Sequence, residues 1–250
     1  MSFLSISRHG RVAVLTLDDP KRRNALNLDL NAELIEAISD IEADHSLGAI
    51  VITGAAPAFC AGADLSQLGA SQHEGLKRIY AGFLAVANCS LPTIAAVNGA
   101  AVGAGMNLAL ACDVRVAGAS ARFDTRFLDL GLHPGGGHTW MMRRIVGPAA
   151  AAAMVLFGQI LSGEEAKRIG LAWDCVADEE LVEYCISMAD RAASAPRELV
   201  IKVKASLGAM ASIDDHSEAV AAELEPQVWS LNEPAFAERL AALQAKITSR

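Results

Sequence analysis

The chain has 250 residues, of which 52% are hydrophobic and 20% charged, and its formal net charge is −8. This length and composition are typical of a folded protein with a substantial core, and they exclude a low-complexity chain. The acidic balance argues against a nucleic-acid partner, because nucleic-acid-binding domains carry an excess of lysine and arginine.

The cysteines and the apolar segments indicate neither a metal site nor a membrane span. Five widely spaced cysteines form no CxxC pair, so we expect no bound metal and a reducing compartment. The segment 91–112 carries no charged residue, but Pro92 and Asn98 favour a buried strand and a buried helix over a spanning helix. The first ten residues are too polar for a signal peptide. We therefore expect a cytoplasmic protein without a membrane partner.

In chain order, the first half of the sequence alternates apolar strand patterns with amphipathic helix patterns. Helical spacing of apolar residues predicts one helix around Leu30–Ile41, a second around Leu76–Phe83 and a short one ending at Ala111. Strands are predicted at 11–17, 49–53, 93–97 and 114–117. This alternation indicates an α/β core.

From about Pro148 the pattern becomes helical. Ser162 and Glu165 form a candidate capping box, with Gly170 as the matching C-cap. Further helices are predicted near 178–194, 196–211 and 214–230, and from Asn232 onward with an apolar stripe of Phe236, Leu240, Leu243 and Ile247. We divide the chain into a core of residues 1–195 and a C-terminal helical region of residues 196–250.

Three segments rich in small residues lie at 58–65 (AFCAGADL), 98–105 (NGAAVGAG) and 131–137 (GLHPGGG). Small residues let a backbone approach a ligand closely, and free N–H groups at a helix start favour negative charge. Each segment alone is better explained as an ordinary tight turn, because a lone glycine pair is weak evidence.

Taken together with their flanking residues, these segments resemble a known superfamily. The ordered blocks are KRRNAL at 21–26, AFCAGADL at 58–65, AAVNGAAVGAG at 95–105, ACDVRVAG at 111–118 and LGLHPGGG at 130–137. In this order they resemble the crotonase superfamily, the enoyl-CoA hydratase/isomerase family, over about residues 10–190. The resemblance implies a ββα spiral core of the crotonase type and a C-terminal helical region that assembles a homotrimer or a hexamer.

The resemblance also implies an acyl-CoA thioester as substrate or ligand, with no separate cofactor. The thioester carbonyl is expected between the backbone N–H groups of Ala63 and Ala104, which stabilise an enolate. Gly103 precedes Ala104 and is expected to contact the ligand. Because both donors are backbone N–H groups, alanine in place of glycine at position 104 preserves the hydrogen bond.

The same resemblance places the coenzyme A portion of the ligand. Ala61 and Leu65 match positions that line the channel, and the Ala61 carbonyl is expected to accept from the adenine amino group. The segment Asn24–Leu26, which includes Ala25, matches the part closing over the pantetheine and phosphates, and Arg22 or Arg23 would supply charge for those phosphates. Asp64 adjoins this site, and its side chain is expected to cap the following helix.

The sequence departs from the family pattern at the two catalytic glutamates. The first lies three residues after the second oxyanion donor, where this chain has Asn107. The second lies twenty residues later, where this chain has Phe127. Asparagine can orient a water but cannot take its proton, and phenylalanine can do neither. We therefore expect little hydration, since each acid–base group typically contributes about 10²–10⁴-fold.

Other side chains could replace the missing glutamates. A helical turn would bring Asp124 to the face of residue 127, whereas Asp129 would point away from it. His133 and His138 flank the glycine loop, and an imidazole can transfer protons near neutral pH. Each of these four is more readily explained as a capped turn or a surface residue.

Three functional hypotheses follow from these residues. The first is an enzyme that transforms acyl-CoA without standard hydratase activity, using His133, Asp124 or enolate stabilisation alone. The second is a non-catalytic fatty acyl-CoA carrier that keeps the pocket. The third is a structural subunit of a larger complex, which has least support because the thioester site looks intact. The apolar Phe127 favours a saturated or bulky acyl group.

Overall fold

The computed structural model describes residues 2–64, 66 and 73–248, and the chain forms two compact units, residues 1–193 and 194–250. The strands are β1 (Leu4–His9), β2 (Val12–Leu17), β3 (Ala49–Gly54), β4 (Ala58–Cys60), β5 (Thr93–Val97), β6 (Ala100–Val102), β7 (Val114–Gly118), β8 (Arg122–Asp124), β9 (Leu161–Ser162) and β10 (Asp174–Val176). Among residues 2–64 and 73–193, the α-helices are α1 (Leu28–Ala43), α2 (His73–Ala87), α3 (Ala104–Ala111), α4 (His138–Val155), α5 (Gly163–Arg168) and α6 (Leu181–Ala193).

The larger sheet forms the centre of the first unit. Its six strands run in the order β1-β2-β3-β5-β7-β10, and all neighbours are parallel except β1 and β2. Every residue of β3 and of β5 is buried, as expected for parallel strands covered on both faces. The four strands predicted from the sequence are thereby confirmed as β2, β3, β5 and β7.

A second, smaller sheet positions the candidate site. It has the order β4-β6-β8-β9, in which β4, β6 and β8 are parallel. Parallel strands present their carboxyl ends at one edge of a sheet, so the chain segments beginning at residues 61, 103 and 125 start side by side. The strands β4 and β6 lie inside segments whose small residues favoured tight turns, because three residues show no strand periodicity.

The helical second half follows the predicted order. The Ser162–Glu165 capping box is present at the start of α5, and Gly170 follows this helix with a φ of +78°. The second unit consists of α7 (Arg197–Ala209), α8 (His216–Leu231) and α9 (Pro234–Thr248). On α9 the predicted apolar stripe is exposed, with Ile247 at 66%. The assembly role of these helices stays a prediction.

Among the described residues, no helix has both the length and the apolar character needed to cross a lipid bilayer. The charge-free segment 91–112 instead contains β5, β6 and α3, as the sequence predicted in outline. Its residues are largely buried in the first unit, which explains their apolar character.

Candidate active site

A cavity of about 240 Å³ opens at the carboxyl edge of the small sheet. One wall consists of residues that follow β4, β6 and β8, and a second wall consists of Leu76, Ile79 and Tyr80 of α2. The segment from Leu130 to Gly135 contributes further lining residues. The cavity thus brings together all three glycine-rich segments that the sequence singled out.

Ala63 reaches this cavity from the segment after β4. Leu26 N–H donates to the Gly62 carbonyl at 2.7 Å, and Asp64 N–H donates to the Leu26 carbonyl at 2.9 Å. In such a parallel bridge, the residue between the two bonded peptide groups directs its own N–H away from the partner. The Ala63 N–H therefore points away from Leu26, and Ala63 lines the cavity.

Ala104 reaches the same cavity as the first residue of α3. The N–H groups of a first helical turn have no acceptor within the helix, and they carry the positive end of its dipole. Gly62, with φ of +102°, lies beside this helix start. A Cβ there would stand 2.8 Å from the Val102 carbonyl oxygen and 3.8 Å from Ala104 N. Glycine at 62 therefore allows the two donor segments to approach each other.

Asn107 lies one helical turn beyond Ala104 and also lines the cavity. Its side chain is 1% exposed and is held at both ends. Asn107 Nδ2 donates to the Gly135 carbonyl oxygen at 3.0 Å, and Asn107 Oδ1 lies 2.7 Å from His138 Nδ1. The carboxamide is thus fixed between the glycine loop and the start of α4.

His138 contacts Asn107, and Phe127 packs against His138. His138 is 1% exposed, and its burial lowers its pKa to about 4, so the imidazole is neutral at pH 7. The Phe127 ring packs edge-on against it, with 4.9 Å between the ring centroids. The sequence offered His138 as a candidate for proton transfer beside the glycine loop, and its Nδ1 instead lies 2.7 Å from Asn107 Oδ1. No periodic pattern relates it to Asn107, which lies 31 residues earlier.

The expected placement of Asp124 beside residue 127 is wrong. Asp124 ends β8, and Arg126 has a φ of +53°, so no helical turn joins positions 124 and 127. Arg126 Nε donates to Asp124 Oδ2 at 2.9 Å, and this ion pair raises the pKa of the guanidinium. Arg126 and not Asp124 lines the cavity.

Of the four alternative proton-transfer residues considered above, His133 is the one that lines the cavity. Its Nδ1 lies 2.7 Å from the Pro134 carbonyl oxygen, an acceptor, so Nδ1 carries a proton. In the neutral ring Nε2 then keeps a lone pair. His133 is exposed, as are Asp129 and the surrounding turn.

The residues expected to contact coenzyme A form a turn that is held by side-chain hydrogen bonds of Asn24. Asn24 is fully buried, and its Nδ2 donates to the carbonyls of Ala55 and Ala58 at 2.8 and 2.7 Å. The Asn24 side chain therefore fixes the turn and is itself out of reach of a ligand. The half-buried Ala25 and the exposed Arg22 and Arg23 are the residues of this turn that a ligand could contact. Arg23 carbonyl accepts from Ala61 N–H at 2.9 Å, which ties this turn to the cavity wall.

The remaining two predicted residues follow Ala63. Asp64 Oδ1 accepts from the backbone N–H of Ser66 at 2.9 Å, and the helix that this side chain is predicted to cap lies largely outside the described residues. Leu65 lies outside the described residues. Arg22 is exposed and lies 3.8 Å from Asp19, measured between Nη1 and Oδ2.

Sequence comparisons place the chain among enzymes of one family. The family model described as enoyl-CoA hydratase/isomerase matches residues 7–242. A probable enoyl-CoA hydratase of Mycobacterium tuberculosis, EchA14, is 52% identical over 250 residues, which covers 96% of each chain. The 2,3-dehydroadipyl-CoA hydratase of Escherichia coli is 41% identical over 201 residues, covering 77% of this chain and 76% of its own. These relatives do not favour the carrier hypothesis.

Solved structures agree with this placement and with the expected crotonase-type α/β fold. An enoyl-CoA hydratase of Bacillus anthracis superposes with a TM-score of 0.91 at 29% identity, covering 100% of this chain and 97% of its own. A probable enoyl-CoA hydratase/isomerase of Mycobacterium abscessus gives 0.89 at 33% identity, covering 98% and 97%. The chain therefore belongs to the enoyl-CoA hydratase/isomerase family of the crotonase superfamily.

Proposed function

We propose that this protein binds an acyl-coenzyme A thioester and polarises its carbonyl between the N–H groups of Ala63 and Ala104, while hydrating enoyl-CoA poorly. The observation that carries the proposal is that Ala63 and Ala104 line one cavity. The Ala63 N–H points away from Leu26, its partner in the parallel bridge, and the Ala104 N–H belongs to the first turn of α3, where it has no acceptor within the helix. Backbone donors of this kind match the negative charge that develops on a thioester oxygen when an enolate forms.

The expected contribution of each donor is substantial. Removing one oxyanion-hole donor typically costs about 2.7–4 kcal/mol of transition-state stabilisation. Ala104 also stands at the positive end of α3, which strengthens its interaction with an oxyanion. Enolate stabilisation therefore does not depend on the side chains at positions 63 and 104.

Poor hydration is proposed from the side chains beside the donors. Hydration requires one group that takes a proton from water and another that protonates the α-carbon. Asn107 and Phe127 line the cavity at the positions that the family resemblance assigns to these groups, and neither can transfer a proton at neutral pH. Among the lining side chains, His133 is our candidate for any proton transfer to or from the acyl group, because Nδ1 faces the Pro134 carbonyl oxygen and Nε2 of the neutral ring is left with a lone pair.

The rest of the ligand and the assembly are proposed from the family resemblance. The coenzyme A portion would run from Ala61 towards the exposed Arg22 and Arg23, with Ala25 over the pantetheine. We also propose a cytoplasmic homotrimer or hexamer built with the helices of residues 196–250.

A vibrational experiment tests the central part of this proposal. Hydrogen bonds to the thioester carbonyl lower its stretching frequency, so infrared difference spectra of bound 13C-labelled butyryl-CoA should show a downshifted band. Ala104→Pro removes one N–H at a helix position where proline is well tolerated, and it should reverse part of the shift. His216→Pro makes a comparable change at the first residue of α8 and should leave the shift intact. An unshifted carbonyl in the wild-type complex contradicts the proposal.

A further inference from the structure

We propose that Asn107, locked in one orientation by Gly135 and His138, presents an N–H donor to the acyl group and selects thioesters that carry an acceptor oxygen on C3, such as 3-oxoacyl-CoA. This inference rests on the proposed thioester site and adds a substrate class to it. It assigns to Asn107 a role in specificity and to His138 a role as a positioning residue.

The orientation of the Asn107 carboxamide follows from its two partners. A backbone carbonyl only accepts hydrogen bonds, so the amide nitrogen must face Gly135, at 3.0 Å. The amide oxygen then faces His138 Nδ1, at 2.7 Å. Because an amide oxygen only accepts, Nδ1 must carry the proton. The flipped amide would set two acceptors against each other at Gly135.

The neutral, buried His138 holds the Asn107 carboxamide in this orientation. Its pKa of about 4 keeps the ring neutral at pH 7, so the single ring proton resides on Nδ1. His138 Nε2 is buried and has no hydrogen-bond partner among the described residues. An unpaired buried acceptor is unfavourable. The Nδ1 bond to Asn107 is thus the polar interaction that orients this ring within the described part of the chain.

One hydrogen-bond donor of Asn107 remains after these contacts. Nδ2 carries two hydrogens, and Gly135 is its one acceptor among the described residues. At Gly136 a Cβ would lie 2.4 Å from Phe83 Cζ and 3.0 Å from Nδ2, so glycine at this position lets the loop pack closely against Asn107. Because Asn107 lines the cavity, the second hydrogen is available to a bound ligand.

The free N–H of Asn107 lies where the acyl chain continues beyond the thioester carbonyl. Residues three apart on a helix share a face, so Asn107 lies one turn from Ala104 on the cavity side of α3. With the thioester oxygen at the Ala104 N–H, the neighbouring part of the acyl group is C2 to C3. The lining of the cavity includes the apolar side chains of Phe127 and Leu130. An unpaired donor beside these side chains disfavours a saturated chain and favours an acceptor oxygen, in contrast to the saturated acyl group expected from Phe127 alone.

The test compares two ligands that differ in this one oxygen. Isothermal calorimetry at pH 7 would measure the dissociation constants of acetoacetyl-CoA and butyryl-CoA for the full-length protein. One hydrogen bond predicts about fivefold tighter binding of acetoacetyl-CoA. Asn107→Leu should bring this ratio close to one, and Asn107→Ala provides a second, smaller replacement. Asn88→Leu makes the same change at an exposed position at the end of α2 and should keep the wild-type ratio.

The lock is tested separately through His138. His138→Phe keeps a ring against Phe127 but removes one of the two contacts that orient the amide, so the ratio should fall towards one. His138→Gln restores an N–H donor and should recover most of the ratio. Equal binding of both ligands by the wild-type protein, or an unchanged ratio in both Asn107 variants, overturns this inference alone. Failure of the wild-type protein to bind either ligand contradicts the proposed function as well.

Discussion

Gly105 of α3 lies directly against the backbone of Cys60 in β4: a Cβ at position 105 would stand 2.2 Å from the Cys60 carbonyl oxygen. This contact sets the helix start that carries Ala104 beside the segment that carries Ala63. The distance between the two proposed oxyanion donors therefore depends on the absence of a side chain at one position.

We predict that Gly105→Ala destabilises the protein by about 2 kcal/mol or more, because the added methyl must displace backbone atoms in a packed core. The same change at Gly208, an exposed position in α7 with nothing within 4 Å of the added Cβ, should stabilise it by about 0.5–1 kcal/mol. Denaturant unfolding of both variants measures the difference. Equal effects of the two substitutions would show that the contact with Cys60 is not tight.

Asn24 provides a second prediction about how the site is supported. Asn24→Ala leaves the Ala55 and Ala58 carbonyls without their donor, and it places alanine at a φ of +58°. The lost bonds and the backbone strain together should lower the free energy of unfolding by about 3 kcal/mol. Chemical denaturation would measure this, with the exposed Asn88→Ala as the control. A loss below that of the control would contradict the anchoring role.

The buried His138 predicts a pH dependence of stability. Its pKa is 6.5 in the unfolded chain and about 4 in the fold, so acid protonates the unfolded state first. Its contribution is therefore fully present above pH 6.5 and is lost as the pH falls towards 4, by about 3 kcal/mol in total.

Unfolding free energies measured from pH 7 to pH 4 test this dependence. His138→Gln removes the titrating group and should flatten the wild-type decline, whereas His216→Gln, at an exposed position, should not. Parallel pH profiles of the wild type and His138→Gln would contradict a depressed pKa.

Much of the large sheet was predictable, because its buried strands are continuous apolar runs such as 49–53. The oxyanion positions Ala63 and Ala104 came from the order of five sequence blocks, which local patterns alone do not reveal. The strands β4 and β6 of the small sheet were missed, since each has three residues and no periodicity.

The contacts that decide the chemistry of the site were also missed. The bond between Asn107 and His138 joins residues 31 positions apart, and no spacing rule relates them. The assumed helical turn before Phe127 failed because Arg126 adopts a left-handed φ and pairs with Asp124. Such tertiary contacts depend on how loops from different strands meet.

Restoring carboxylates should restore hydration. We predict that Asn107→Glu combined with Phe127→Glu raises the rate of crotonyl-CoA hydration by at least about 10²-fold, since it supplies both proton-transfer groups. His138 can still donate to a carboxylate at position 107. The matched variant Asn107→Gln with Phe127→Gln has the same size without the acids and should stay inactive. A flat response with acyl-CoA binding retained would place the catalytic positions elsewhere.

The central claim separates binding from hydration, so it is tested most directly by measuring both on one preparation. Calorimetry would give the affinity for crotonyl-CoA, and the loss of enoyl absorbance would give its hydration rate. We predict saturable binding with turnover near the uncatalysed background. Turnover in the ordinary enzyme range of about 1–10³ s⁻¹, with Asn107 and Phe127 in place, would contradict the account.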